Sequence, residues 1–283
     1  MSALRAGWRA YACEAAGLAG FLFVVGVVDA LVFAPQSPLD SFTASDWLKR
    51  LVVGLAAGGY LIALVYSPFG KESGAHINPS VTLAFLRMGK IARLDAGMYI
   101  AFQFAGAVAG VLAFALVMPS WASDPQVDYI VTRPGPWGYA AAFVAEFAIT
   151  FGMVMIVLES SNSRIARFTG LLCGTFLAFL IVFESPISGT SLNPARSTGS
   201  AVIAEGWYHL LLYFVAPPLG AQLAVIVYGR GRGRTVACAK LHHHAADHPA
   251  TARCIMKGCG YRDGATTPAA RPELPAAALR PQP

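Results

Sequence analysis

Six long apolar segments constrain this chain more than any other feature of its sequence. Hydrophobic residues make up 56% of the chain and charged residues 13%, whereas soluble domains hold about 25% charged residues. Most of the segments approach the ~20 residues that a helix needs to cross a bilayer. Because a bilayer offers the backbone no water to bond, they should be helices. The segments are Ala15–Phe33, Trp47–Tyr66, Gly97–Met118, Tyr139–Leu158, Phe168–Phe183 and Tyr208–Tyr228.

The distribution of basic residues predicts how these helices are oriented. The net charge is +6, and Lys and Arg cluster at both termini and in alternate connections. Such a bias marks the cytoplasmic side, so both termini are expected in the cytoplasm, with the chain in a plasma (bacterial inner) membrane. The basic character therefore reflects topology, and nucleic acid is not an expected partner. The clusters are Arg5 and Arg9; Lys71, Arg87, Lys90 and Arg93; Arg164 and Arg167; and Arg230, Arg232, Arg234 and Lys240.

The chain divides into two similar halves. Each half holds three crossings, an odd number, so the second half should lie inverted relative to the first. Inverted repeats place a transport site at their interface near the middle of the membrane. The predicted parts are a cytoplasmic N-terminus (1–9), a first repeat (10–118) with a pore loop (71–90), an external connector (119–138), a second repeat (139–228) with a pore loop (184–204), and a disordered cytoplasmic tail (229–283).

An Asn-Pro signature occurs once in each half, as Asn78-Pro79-Ser80 and as Asn193-Pro194-Ala195. Asn caps free backbone N–H groups and Pro suits the first helical position, so each signature predicts the start of a helix. The apolar stretch that follows spans ~14 Å, about half of a bilayer core. Two half-helices are therefore expected to meet in the membrane. Their positive ends and the two Asn amides would conduct water while repelling cations and protons.

The segments SGAHINPSVTLAF and PISGTSLNPARSTGSA resemble the two pore loops of the aquaporin, or major intrinsic protein, family. The resemblance extends to Gln103, Gly106-Ala107 and Pro218-Leu219-Gly220-Ala221 and covers roughly residues 10–228. It implies an all-α membrane protein with six transmembrane helices plus two re-entrant half-helices, assembled as a homotetramer. It also implies a passive channel rather than an enzyme, with no cofactor.

The resemblance also implies an outer constriction formed by Arg196 together with Gly58, Ile181 and Thr190. A strict water channel usually has Phe and His where this chain has Gly58 and Ile181. The constriction is therefore expected to be wide, passing water and small neutral solutes such as glycerol, urea and undissociated metalloid acids. Tyr60 or Phe183 swinging into the space beside Gly58 is the alternative.

Four acids need an explanation in so apolar a chain. Glu14 and Glu146 lie in the first and fourth apolar helices and would be costly there unless hydrogen-bonded. The resemblance implies that they hold the backbone of the pore loops. Asp29 is expected at the membrane interface, and Glu184 either caps a loop or attracts cations.

The tail suggests a second class of function. Its His and Cys residues are candidate zinc or copper ligands, although their spacing fits no standard structural zinc site. The alternative to a channel is thus a membrane-anchored, metal-responsive protein that acts through its tail. The candidate ligands are Cys238, His242, His243, His244, His248, Cys254 and Cys259.

Overall fold

The computed structural model describes residues 2–40, 45–231, 236 and 238–242 of the 283-residue chain. Every regular element in these residues is helical. In chain order the α-helices are α1 (Ser2–Phe33), α2 (Asp46–Tyr66), α3 (Pro68–Ser73), α4 (Pro79–Arg87), α5 (Arg93–Val117), α6 (Pro119–Ala122), α7 (Gly138–Ser161), α8 (Thr169–Phe183), α9 (Ser185–Ser188), α10 (Pro194–Ala204) and α11 (Leu210–Arg230).

Six of these helices are long and apolar enough to cross a membrane, namely α1, α2, α5, α7, α8 and α11. The shortest, α8, reaches 18 residues only together with the preceding 3₁₀ turn at Ala166–Phe168. The chain is therefore a multi-pass integral membrane protein. The two half-helices, α4 and α10, have nine and eleven residues, too few to cross a bilayer.

The long helices form two repeats that are tied together by the half-helices. In the first repeat α1 packs along α5, and in the second α7 packs along α11, while α2 and α8 pack together across the interface. Each half-helix packs more extensively on the last long helix of the other repeat, α4 on α11 and α10 on α5. Neither repeat therefore surrounds its own half-helix.

Glycine permits the closest of these helix contacts. A Cβ atom built on Gly106 would lie 2.2 Å from the carbonyl oxygen of Ala15, and one on Gly58 would lie 2.3 Å from that of Gly174. Carbon atoms cannot approach oxygen so closely, so only glycine fits at these points. Small residues at such contacts let membrane helices pack backbone to backbone.

The structure adds detail to three of the expected parts of the chain. Residues 2–9 belong to α1, because that helix begins at Ser2 rather than after a separate N-terminal segment. The connector (119–138) contains α6 and a 3₁₀ turn at Asp128–Ile130 that reaches the interior of the bundle. Residues 238–242 of the tail are buried against the bundle, so the expectation of a disordered tail is wrong for them.

Candidate functional site

The two Asn-Pro signatures begin the half-helices as their residue types require. The side-chain oxygen of Asn78 accepts a hydrogen bond from the Ser80 amide at 2.8 Å. That of Asn193 accepts from the amides of Ala195 and Arg196, at 3.0 and 3.2 Å. Pro79 and Pro194 are the first helical residues. The Ser80 hydroxyl, which follows the first signature, is buried without a hydrogen-bond partner among the described residues.

The same two Asn side chains join the two repeats. The Asn78 amide nitrogen donates to the carbonyl oxygen of Leu192 at 2.8 Å, and that of Asn193 donates to the carbonyl oxygen of Ile77 at 2.8 Å. Each amide nitrogen carries two hydrogens. One hydrogen thus fixes the side chain on the opposite loop, and the second is left for a molecule between the half-helices.

The loop before each Asn follows the same unusual backbone path. Counting back from the Asn, the fourth, third and first residues have positive φ in both loops. Residues other than glycine rarely adopt this conformation, so it must be held by surrounding contacts. The matched residues are Gly74 (98°), Ala75 (56°) and Ile77 (39°) before Asn78, and Gly189 (84°), Thr190 (50°) and Leu192 (55°) before Asn193. We call these two loops the inner and the outer loop, after the orientation that the sequence predicts.

Two fully buried carboxylates hold these paths. Glu14 accepts hydrogen bonds from the amides of His76 and Ile77, at 3.0 and 2.5 Å. Glu146 accepts from the amides of Ser191 and Leu192 at the equivalent places, at 2.6 and 2.8 Å. A buried amide without an acceptor costs about 1–3 kcal/mol. Each acid therefore satisfies amide groups that the unusual backbone path turns away from any helix or strand.

Two tyrosines complete the matched arrangement, a role that was not predicted for either of them from the sequence. The Tyr99 hydroxyl donates to the carbonyl oxygen of Ser73 at 2.7 Å, and the Tyr213 hydroxyl donates to that of Ser188 at 2.6 Å. Both rings are completely buried. A tyrosine at the same relative place in the third and sixth crossings was the available signal.

A cavity of about 410 Å³ passes between the two loops. We call it the lumen. Its outer end is lined by Arg50 and Gln126, and its inner end by His76. Asn78 and Asn193 line it between these ends, so the paired amides face a continuous space.

Three of the four residues expected at the outer constriction line the lumen: Ile181, Thr190 and Arg196. The Arg196 guanidinium is fixed by donating to the carbonyl oxygen of Ile130, in the connector, at 2.9 Å. The Thr190 hydroxyl donates to the buried Glu184 carboxylate at 2.6 Å, so Glu184 supports this loop.

Gly58, the fourth residue expected at the constriction, does not line the lumen. It lies where α2 packs against the Gly174 carbonyl of α8, so a side chain at this position would point into the helix contact. The face of α2 toward the lumen carries Arg50, Val53 and Leu61 instead. Each residue turns a helix by about 100°, so Gly58, five positions after Val53, lies on a different face of α2.

The space near α2 is not refilled by either of the expected aromatic rings. Tyr60 packs against α1, where its hydroxyl donates to the carbonyl oxygen of Gly17 at 3.1 Å. Phe183 is 56% exposed and packs on Phe179, with ring centroids 4.7 Å apart. Phe21 and Phe33 are the aromatic residues that α1 contributes to the lumen.

Asp29 also differs from expectation, because it lines the lumen instead of the membrane interface. It shares the cavity wall with Arg196. Its position depends on which face of α1 turns inward, and a single acid in an apolar helix does not reveal that face.

The tail candidates for metal binding are divided between described and undescribed residues. Cys238 and His242 are buried, and the His242 ring packs edge-on against Tyr66 with centroids 5.0 Å apart. Within the described part of the chain no group of three His, Cys, Asp or Glu residues is placed to hold a metal ion. His243, His244, His248, Cys254 and Cys259 lie outside the described residues.

The sequence model of the major intrinsic protein family matches residues 2–228. The chain belongs to this family. Its members are channels and not enzymes, and this major intrinsic protein is accordingly a channel of the aquaporin and glycerol facilitator class.

Several curated relatives are similar to this major intrinsic protein. Probable aquaporin NIP7-1 of Arabidopsis thaliana is 33% identical over 63% of this chain, and the match spans only 63% of that relative's length. A glycerol uptake facilitator protein-like 6 of Lactiplantibacillus plantarum is 39% identical over 62% of this chain and 82% of its own. Aquaporin Z of Rhodopseudomonas palustris is 32% identical over 62% of this chain and 77% of its own.

One solved structure shows the same fold. The aquaglyceroporin from Plasmodium falciparum superposes with a TM-score of 0.64, covering 79% of this chain and 96% of that chain. At 21% sequence identity, the likeness speaks for the fold alone.

Proposed function

We propose that this channel passively conducts water and small neutral solutes while excluding ions and protons. The observation that carries the proposal is the reciprocal pairing of Asn78 and Asn193 beside the lumen. Each amide is fixed on the opposite loop and keeps one hydrogen for a passing molecule. A polar molecule can exchange its own hydrogen bonds for these as it passes.

Exclusion of cations is supported by the charges around the lumen, where Arg50 and Arg196 outnumber the single lining acid, Asp29. Two half-helix N-termini, each with partial positive charge, point toward the same space. Arg196 adds a full positive charge nearer the outer end. Positive helix ends and an arginine at a narrow point raise the electrostatic barrier to cations and protons.

The walls of the outer constriction favour solutes with both apolar and hydroxyl groups. Val53 and Ile181 supply an aliphatic side, and Arg196 supplies hydrogen-bond donors. Carbon chains that carry several hydroxyl groups match such a wall. The relative named as a glycerol uptake facilitator supports this assignment. We therefore propose glycerol, urea and undissociated metalloid acids as solutes beside water.

Stopped-flow light scattering on proteoliposomes tests the proposal. We expect flux of water, glycerol, urea and arsenous acid above that of protein-free liposomes, measured for the whole chain and for a chain ending at Gly231. Water flux with all three solutes excluded would contradict a wide constriction. Single-channel current in planar bilayers would contradict the exclusion of ions.

We further propose a homotetramer in a plasma (inner) membrane with both termini in the cytoplasm. The exposed apolar faces of the long helices supply surface for contact with lipid and with other copies. Native mass spectrometry from detergent should then give four chains. A monomer under all detergent conditions would contradict the assembly.

The metal-responsive alternative has no support in the described residues. Cys238 and His242 are buried in contacts with the channel body instead of being grouped with other candidate ligands. The proposal therefore rests on the lumen alone.

A further inference from the structure

The segment 238–242, just beyond the last transmembrane helix, is buried at the inner end of the lumen. We call it the plug segment. Ala239 is completely buried, and Lys240 and Leu241 are 3% and 5% exposed. The segment contains a lysine and a histidine, and such side chains just beyond a transmembrane helix are normally solvated. Burial of this stretch indicates a specific docking site.

Three hydrogen bonds join the plug segment to the inner pore loop and the helix before it. The Leu241 amide donates to the Gly74 carbonyl at 3.1 Å, and the His76 ring nitrogen Nε2 donates to the Ala239 carbonyl at 2.6 Å. The Lys240 ammonium donates to the Lys71 carbonyl at 2.6 Å. Two of the three bonds use backbone atoms of the plug segment.

These contacts occupy groups that a permeating molecule would use. Gly74 belongs to the inner loop, and His76 lines the lumen at its inner end. Leu241 lines the same end and adds an apolar side chain there. A water molecule arriving at this mouth meets a hydrogen-bond donor and an acceptor that are already paired.

We propose that residues 238–242 close the inner mouth of the channel, and that flux requires their release. The inference rests on the proposed function, since a plug has meaning only in a pore. The state described here is the closed one.

A different role for the segment is to brace the inner loop. At the outer loop, Thr132 and Arg133 of the connector lie beside Gly189, as Ala239 and Lys240 lie beside Gly74. The two roles predict opposite changes in flux when the segment is removed. Removing a brace lowers flux and stability, whereas removing a plug raises flux.

The first test compares the whole chain with a chain ending at Gly231, reconstituted at equal density. We expect the shorter chain to show about tenfold higher water permeability per channel, as when the docked form holds about nine-tenths of the molecules. Equal or lower permeability of the shorter chain overturns the plug while leaving the channel function intact. If neither chain conducts water, the proposed function fails and the plug fails with it.

The second test keeps the full length of the chain. Ala239→Trp places a large ring where the structure leaves no exposed surface, so it should release the segment and raise water flux as truncation does. The matched control is Ala246→Trp, in the same tail but outside the plug segment, and should leave flux unchanged. A synthetic peptide of residues 236–242 should lower the flux of the shorter chain. Equal flux for both Trp variants, or an inert peptide, counts against the plug.

Discussion

Single residues in this channel act through what they hold in place. Glu14 and Glu146 accept backbone hydrogen bonds at equivalent places of the two loops. Their need for partners could be predicted from the sequence, because an acid in an apolar helix must find donors. The resemblance to the family implied that the donors are pore-loop backbone groups, whereas the individual amides could not be predicted, since the loops approach only after the helices have packed.

The Glu146→Gln variant should lose stability. Its amide would turn an N–H₂ group toward the Ser191 or Leu192 amide, leaving one buried donor without an acceptor. We expect the free energy of unfolding to fall by about 1–3 kcal/mol. Titration with SDS in mixed micelles measures the difference. Glu159→Gln, on the exposed surface of the same helix, is the control; an equal loss in both variants would refute the role of Glu146.

The Ile181→His variant should narrow the range of solutes. Ile181 lines the outer part of the lumen, and an imidazole there would replace part of the aliphatic wall with a polar ring. We expect glycerol permeability to fall about tenfold relative to water permeability. The measurement is stopped-flow light scattering on chains ending at Gly231, with Ile181→Leu as the control. An unchanged ratio of glycerol to water would show that Ile181 does not shape the constriction.

At the scale of elements, signals within a few residues predicted the half-helices correctly. The assignment of Gly58, which depended on counting over about 20 residues, was not reliable. Asn-Pro begins α4 and α10 because capping and the first-turn preference of Pro act within a few residues. Counting from Asn78 back to α2 passes through α3 and two non-helical stretches, which do not keep helical phase. The count therefore selected Gly58 instead of a residue on the lumen face.

The contact between α2 and α8 makes Gly58 and Gly59 an informative pair. A Cβ at Gly58 would lie 2.3 Å from the Gly174 carbonyl oxygen, whereas one at Gly59 would have nothing within 4 Å. Gly58→Ala should therefore lower stability by about 1–3 kcal/mol. Gly59→Ala should be neutral or stabilising, because alanine favours a helix.

Solute permeability distinguishes a Gly58 that lies in the contact between α2 and α8 from a Gly58 that lines the outer constriction. If Gly58 lined the constriction, Gly58→Ala would reduce glycerol flux in correctly folded channels at full stability. SDS titration and glycerol flux, measured on the same preparations, distinguish the two outcomes.

For the whole molecule, the six crossings and their inverted repeats were predictable from hydropathy alone. The residues that reach the lumen from segments outside the repeats could not be predicted. Ile130 in the connector and Leu241 in the tail reach the lumen from segments that look like ordinary connections. Their roles depend on where the chain travels after the bundle has formed.

The proposed topology, with an even number of crossings, predicts that both chain ends lie on one side of the membrane. Epitope tags added before Met1 and after Pro283 should both be digested by a protease on the same side of sealed vesicles. A tag inserted at positions 41–44 should be digested only from the opposite side. Digestion of the two terminal tags from different sides would contradict the topology.

The reciprocal Asn contacts also have a consequence for synthesis, because their two partners are made at different times. The Asn193 amide and the Ile77 carbonyl are separated by 116 positions along the chain. At about 5–20 residues per second, a ribosome needs roughly 6–23 s to make that stretch. Until the second repeat has been made, the Ile77 carbonyl of the first repeat lacks this donor. The reciprocal contacts between the two repeats can therefore form only after the second repeat has been synthesised.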